Sequence, residues 1–108
     1  MKLEVGMYVR TKGGFIDKII SFKSTISNDY VELEDEYYAN KKDILKASNN
    51  IIDLIEVGDY VNGELVEYIE VDSYKDYVIN NGYWCNQENI KSIVTKEQFS
   101  QMEYKVGE

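Results

Sequence analysis

Histidine and proline are both absent from this chain, and cysteine occurs once, at Cys85. Without an imidazole, Ser/His/Asp and Cys/His nucleophile systems are excluded, and so are nearly all zinc sites, which need imidazoles or several thiolates. A lone cysteine forms no internal disulfide, which agrees with a reducing compartment. Preceded by Trp84 and set among acidic residues, Cys85 reads as a small buried hydrophobe, because such surroundings disfavour its thiolate. No apolar run approaches the ~18 residues of a membrane span. The opening MKLEVGMYVR carries no apolar signal-peptide core, so a cytoplasmic protein is expected. Glycine-rich phosphate loops and dinucleotide fingerprints are missing too. Only carboxylates remain as catalytic groups, and their pairing cannot be recognised from spacing in a strand-rich chain. Neither an enzyme nor a bound cofactor is expected.

What is present is an ordinary globular composition. Hydrophobic residues make up 44% and charged residues 30% of 108 positions, and 10 of those positions are tyrosine. That length suits one domain or two very small ones.

The chain also repeats itself. EVGMYV at residues 4–9 returns as EVGDYV at 56–61, and DYVELEDEYYANKKDILKAS at 29–48 is matched, with one gap, by DYVINNGYWCNQENIKSIVT at 76–95. Tyr30 thereby aligns with Tyr77, Val31 with Val78, Tyr37 with Tyr83, Tyr38 with Trp84, Asn40 with Asn86 and Ile44 with Ile90. Two matched blocks in the same order point to duplication of a unit of about 45 residues.

The unit reads as β. Val5–Arg10, Phe15–Phe22, Tyr30–Glu34 and Glu36–Ala39 are short runs rich in Val, Ile, Tyr and Phe, bounded by Gly13-Gly14, by Ser27–Asp29 and by Asn40. The second copy supplies Val57–Asn62, Leu65–Val71, Tyr74–Asn80 and Tyr83–Cys85, with turns at Asn62-Gly63, Asp72-Ser73 and Asn80–Gly82. In each copy an asparagine, Asn40 or Asn86, starts a single helical turn that leads into a last short strand, Leu45–Ala47 or Lys91–Val94. Five short antiparallel strands with a turn before the fifth are expected to close a small barrel.

The pattern V-G-x-Y-V … Y-V-x-L … Y-Y/W … N-x-x-x-I resembles a Src-homology-3-like (SH3-like) barrel of the kind found in KOW-type modules, over residues 3–48 and 55–95. The resemblance implies an all-β chain of two tandem SH3-like barrels, residues 1–50 and 51–95, followed by a short C-terminal helix and tail, residues 96–108. The lack of proline and of a clear aromatic groove speaks against a proline-peptide binder. Between the copies, Ser48–Leu54 is too short and apolar to be floppy, so the copies are expected to pack through Ile51, Ile52 and Leu54. An intertwined sheet or a swapped dimer is the alternative. In the tail, Thr95 and Gln98 form a capping box, and Ile93, Phe99 and Met102 supply a docking face. The two ends of the chain are similar to small phage and prophage proteins of Firmicutes, which implies an accessory or counter-defence role.

Charge separates the halves. Residues 1–53 hold 8 basic and 9 acidic groups, a net of −1, and residues 54–108 hold 4 and 11, a net of −7. The second half therefore disfavours direct contact with a nucleic-acid backbone. It favours a protein with a basic surface, although negative charge also simply keeps a small protein soluble. In the first half Arg10, Lys12, Lys18, Lys23, Lys41 and Lys42 leave room for a small basic patch. The run Glu32, Glu34, Asp35, Glu36 lacks the ligand spacing and central glycine of a calcium loop and reads as a solvated strand and turn. In each doublet, Tyr37-Tyr38 and Tyr83-Trp84, one ring should enter the core and the other face out as a contact anchor.

Three functions follow from these features. The first is a non-enzymatic protein of phage origin that uses Glu64, Glu67, Glu70, Asp72, Tyr83 and Trp84 to engage a basic host surface, such as that of a CRISPR nuclease or another defence enzyme. The second is a protein that sequesters a nucleotide signal through Arg10, Lys12 and aromatic stacking. The third is an RNA- or ribosome-associated module.

Overall fold

A computed structural model of the chain describes residues 2–35, 37–71, 77–80, 82–84 and 87–102, with the backbone alone described at 77–78, 82–84 and 87. It is mostly β, with one short helix at the C-terminal end, and it divides into two compact units, Met1–Leu54 and Ile55–Glu108. The division falls four residues beyond the expected boundary at 50/51. The 3₁₀ segment Ile51–Leu54 lies beside strands of the first unit, and its Ile52 and Leu54 side chains are buried.

In the first unit, β1 (Tyr8–Thr11), β2 (Ile16–Ser24), β3 (Asp29–Leu33), β4 (Tyr38–Asn40) and β5 (Ile44–Ser48) form one antiparallel sheet in the order β4-β3-β2-β1-β5. Strand β2 is long enough to serve two neighbours. Its start pairs with β1 (Tyr8 opposite Lys18) and its end with β3 (Phe22 opposite Val31), and a register shift between Ile19 and Ser21 separates the two ladders. Val9, Ile19, Val31, Leu33, Ala39 and Ile44 form the core, with Leu3, Met7, Tyr37 and Ala47 packed against it. These positions alternate along β3, where Val31 and Leu33 are buried and Tyr30 and Glu32 are only half-buried. Asn40 caps the 3₁₀ turn Lys41–Asp43, accepting from the Lys42 N–H at 3.1 Å. The expected closed barrel is not formed. Among the described residues β4 and β5 are not hydrogen-bonded to each other, because β4 has only three residues and runs straight into that turn.

The second unit repeats the order with shorter strands. It contains β6 (Tyr60–Val61), β7 (Glu64–Leu65), β8 (Ile69–Val71), β9 (Tyr77–Ile79), β10 (Gly82–Trp84) and β11 (Ile93–Val94). They form two three-stranded sheets, β11-β6-β7 and β10-β9-β8. If β7 and β8 are taken together as the counterpart of β2, the succession is that of the first unit, including a 3₁₀ turn, Gln87–Asn89, before the last strand. The expected strand Leu65–Val71 is thus split in two. Ile55, Val61, Val66 and Ile79 form the core, joined by Ile69, Ile90 and Ile93.

The entry to each unit shows the correspondence most closely. Gly6 and Gly58 have φ of +95° and +98°, a region that glycine occupies without strain, so EVGMYV and EVGDYV begin as turns and not as strands. The Gly6 N–H donates to the Ile19 carbonyl and the Gly58 N–H to the Val66 carbonyl, both at 2.9 Å. The Met7 N–H donates to Glu4, as the Asp59 N–H does to Glu56. The side chain after the glycine then accepts the same backbone donor in both units. The Met7 sulfur takes the Glu4 N–H at 3.2 Å, and an Asp59 oxygen takes the Glu56 N–H at 2.7 Å.

Helix α1 (Lys96–Met102) starts with a reciprocal capping box: the Gln98 N–H donates to the Thr95 hydroxyl at 3.2 Å and the Thr95 N–H to the Gln98 side chain at 3.0 Å. The Phe99 ring stacks on Tyr60 with centroids 5.1 Å apart, and Ile93 packs on the core, whereas Met102 is exposed and takes no part in docking. Thr95→Ala should cost about 1 kcal/mol and fray this helix, which a loss of amide-exchange protection at Phe99 would register; unchanged protection would show that the cap is dispensable.

Candidate functional site

The expected partner-binding residues fall on two stretches of the second unit. Glu64 lies on β7 and Glu70 on β8, with Glu67 on the chain between them, and all three are exposed. Strands β7 and β8 are each at the edge of their sheet, which leaves one side without a strand neighbour among the described residues. Leu65 and Val71 are exposed on the same strands, so carboxylates and apolar side chains alternate there.

Asparagines fix this stretch. Val61 and Glu64 face each other across the two-residue turn Asn62-Gly63, both of whose residues have positive φ, at 51° and 83°, as a tight hairpin of this twist requires. The Asn62 side chain accepts from the Lys91 and Ser92 N–H groups at 2.7 and 3.1 Å and donates to the Asn89 carbonyl at 2.9 Å, tying the hairpin to the chain before β11. Asn80 does the same for the break between β7 and β8. Its side-chain oxygen accepts from the Glu67 N–H at 2.7 Å, and its amide donates to the Leu65 carbonyl at 2.6 Å. The backbone under Glu67 is therefore held in place although it belongs to no strand. Neither asparagine was singled out from the sequence beyond its role in a turn.

Tyr83 and Trp84 lie on β10, at the far edge of the other sheet, opposite Val78 and Tyr77 of β9. Their side chains, together with Asp72, Cys85 and Asn86, lie outside the described residues. Asn80 has φ 50°, and Gly82, expected in the turn, is already in the strand opposite Ile79.

In the first unit the doublet splits as expected: Tyr37 packs against the core and Tyr38 is 49% exposed. Arg10 does not serve an anionic ligand. It is fully buried, and its guanidinium donates to the Leu54 carbonyl at 2.9 Å, because the Ile51–Leu54 segment packs beside β1. Lys12 remains at the surface, 3.8 Å from Asp43. Glu32 accepts from the Ser21 hydroxyl at 2.7 Å, and among the described residues no group of His, Cys, Asp or Glu is arranged to hold a metal ion.

Burial raises the pKa of the Tyr37 phenol above its ordinary value, with the charges of Asp17 and Asp35 adding to the effect and the Thr11 hydroxyl opposing it. The folded state thus holds this proton more tightly than the unfolded chain. The associated stability is complete below the unfolded value near ~10 and is lost as pH rises through the folded one. Tyr37→Phe should flatten the fall of the urea midpoint as pH rises above the ordinary tyrosine value of about 10. An identical fall in both proteins would exclude Tyr37 as its source.

No helix of the described residues is long and apolar enough to cross a membrane. Comparison with family models, curated proteins and solved structures returns no significant match.

Proposed function

We propose that the chain is a non-enzymatic binding protein of phage or prophage origin, built from two SH3-like units, whose acidic second unit engages a basic surface on a host protein. The observation that carries this reading is the placement of Glu64, Glu67 and Glu70. All three are exposed, Glu64 and Glu70 on edge strands and Glu67 on the segment between them that Asn80 holds, in a half whose net charge is −7 against −1 for the other. A fixed array of like charges loses little freedom on binding and speeds encounter with an opposite surface. The exposed Leu65 and Val71 beside it supply apolar area that charge alone lacks. The shared strand order, with a 3₁₀ turn before each last strand, supports the two-unit SH3-like reading. A defence enzyme that handles nucleic acid has the basic channel this surface fits.

Co-purification from a bacterial host lysate at low salt tests it. The expected result is a partner that is lost both at high salt and on combining Glu64→Lys, Glu67→Lys and Glu70→Lys. A partner retained by that variant would move the interface elsewhere, and the absence of any partner would remove the reading.

A further inference from the structure

We propose that the first unit carries a second binding surface, for single-stranded nucleic acid, on the outer face of β3 and β4 around Tyr38. The face is defined by register: Tyr30 lies opposite Asn40 and Glu32 opposite Tyr38, while the intervening Val31 and Ala39 point into the core. Tyr38 lines two hollows. One, of about 230 Å³, is walled by Tyr30, Tyr38, Lys23 and Thr25. The other, of about 400 Å³, lies against Tyr38, Tyr37, Phe15 and Lys12. A third, of about 360 Å³, adjoins at Asn40 and reaches Lys41 and Lys42.

Two aromatic-lined hollows that share one exposed tyrosine offer stacking surfaces to more than one base, and bases stack on aromatic side chains whatever their identity. A single nucleotide would fill only one of them.

The cations sit where a phosphate chain would pass. The Lys23 ammonium lies 5.2 Å from the Tyr38 ring centre, and that of Lys41 lies 5.1 Å from the ring centre of Phe22. Lys23, Lys41 and Lys42 form no ion pairs among the described residues, so phosphates would not have to displace carboxylates from them. Glu32 beside Tyr38, Asp29 at one rim and Asp43 beside Lys12 oppose the lysines. Binding is therefore modest and steeply salt-dependent. This surface belongs to the first unit and the acidic stretch to the second, and either proposal can fail without the other.

The test uses the full chain and a fluorescein-labelled oligouridine of about eight nucleotides, followed by anisotropy at ~50 mM salt. Saturable binding is expected. Tyr38→Ala and, separately, Lys23→Glu should each weaken it by about tenfold, and it should fade as salt is raised. Both side chains are exposed, so unchanged circular dichroism should accompany the loss. Three results would overturn the proposal: no saturable binding at low salt, affinity unchanged by both substitutions, or competition by uridine monophosphate as strong as by the unlabelled oligomer.

Discussion

Replacing Asp59 by alanine is expected to lower the stability of the second unit by about 3 kcal/mol and to release α1. The Asp59 side chain is fully buried, and each of its oxygens accepts a backbone N–H: that of Glu56 at 2.7 Å and that of Lys96, the first residue of the helix, at 2.9 Å. Alanine would leave both donors without this acceptor in the interior, and hydrogen bonds to a charged group are the costly ones to lose. The Lys96 ammonium is also paired with Glu56 at 2.7 Å, so one carboxylate organises a turn, a helix start and an ion pair together. Asp59→Asn keeps one oxygen acceptor and should cost less than alanine. Urea unfolding gives the free energy, and amide exchange at Lys96 and Phe99 reports the helix. A loss below ~1 kcal/mol would mean that water replaces the carboxylate.

Leu33→Ala should destabilise the first unit by about 3 kcal/mol. Leu33 has no exposed surface, lies opposite Ile19, and closes the β3 ladder by donating its N–H to the Tyr37 carbonyl at 2.9 Å. The hydrogen bond survives the substitution, so the effect isolates the cavity left among Val9, Ile19, Val31 and Ile44. Leu33→Met, which nearly conserves volume, should cost less than ~1.5 kcal/mol. Equal losses for the two variants would show that shape, and not volume, governs this core.

The repeated hexamers carried real information about the fold, because a glycine at positive φ and a valine two residues past the next one are needed at the entry to each unit. The turn that Asn40 starts and the Thr95–Gln98 box were legible for a similar reason: each is a local device whose residues lie within a few positions of one another. What stayed hidden depends on residues distant in sequence. Asp59 occupies the place of Met7, and in an alignment it looks like a tolerated surface change. Its burial follows only from the approach of α1. Arg10 read as part of a basic patch, but its burial depends on the Ile51–Leu54 segment, more than forty residues away in sequence, whose Leu54 carbonyl takes its guanidinium. The alignment of Val31 with Val78 sets Ile79 against the half-buried Glu32, whereas Ile79 belongs to the core. A slip of one residue reverses the faces of a strand, and a gapped alignment across a hairpin does not control for it. Leu65–Val71 has the composition of one strand, yet Asn80 holds its middle by side-chain hydrogen bonds and ends the ladder there. Of the candidate site, the acidity of Glu64, Glu67 and Glu70 was legible from charge, but their shared exposure was not, because residues three apart on one strand face opposite ways. Nor was the asparagine that fixes their backbone.

The account rests on two units that share one strand order, and cross-strand contacts in solution test this most directly. Nuclear Overhauser measurements on the labelled full chain should connect Tyr8 with Ser48 and Val9 with Ala47, and equally Tyr60 with Val94 and Val61 with Ile93. Both sets, present within one molecule, are the predicted result. If the second set were missing, or arose only between mixed labelled and unlabelled molecules, the chain would not consist of two like units, and the separate surfaces assigned to them would have no common frame.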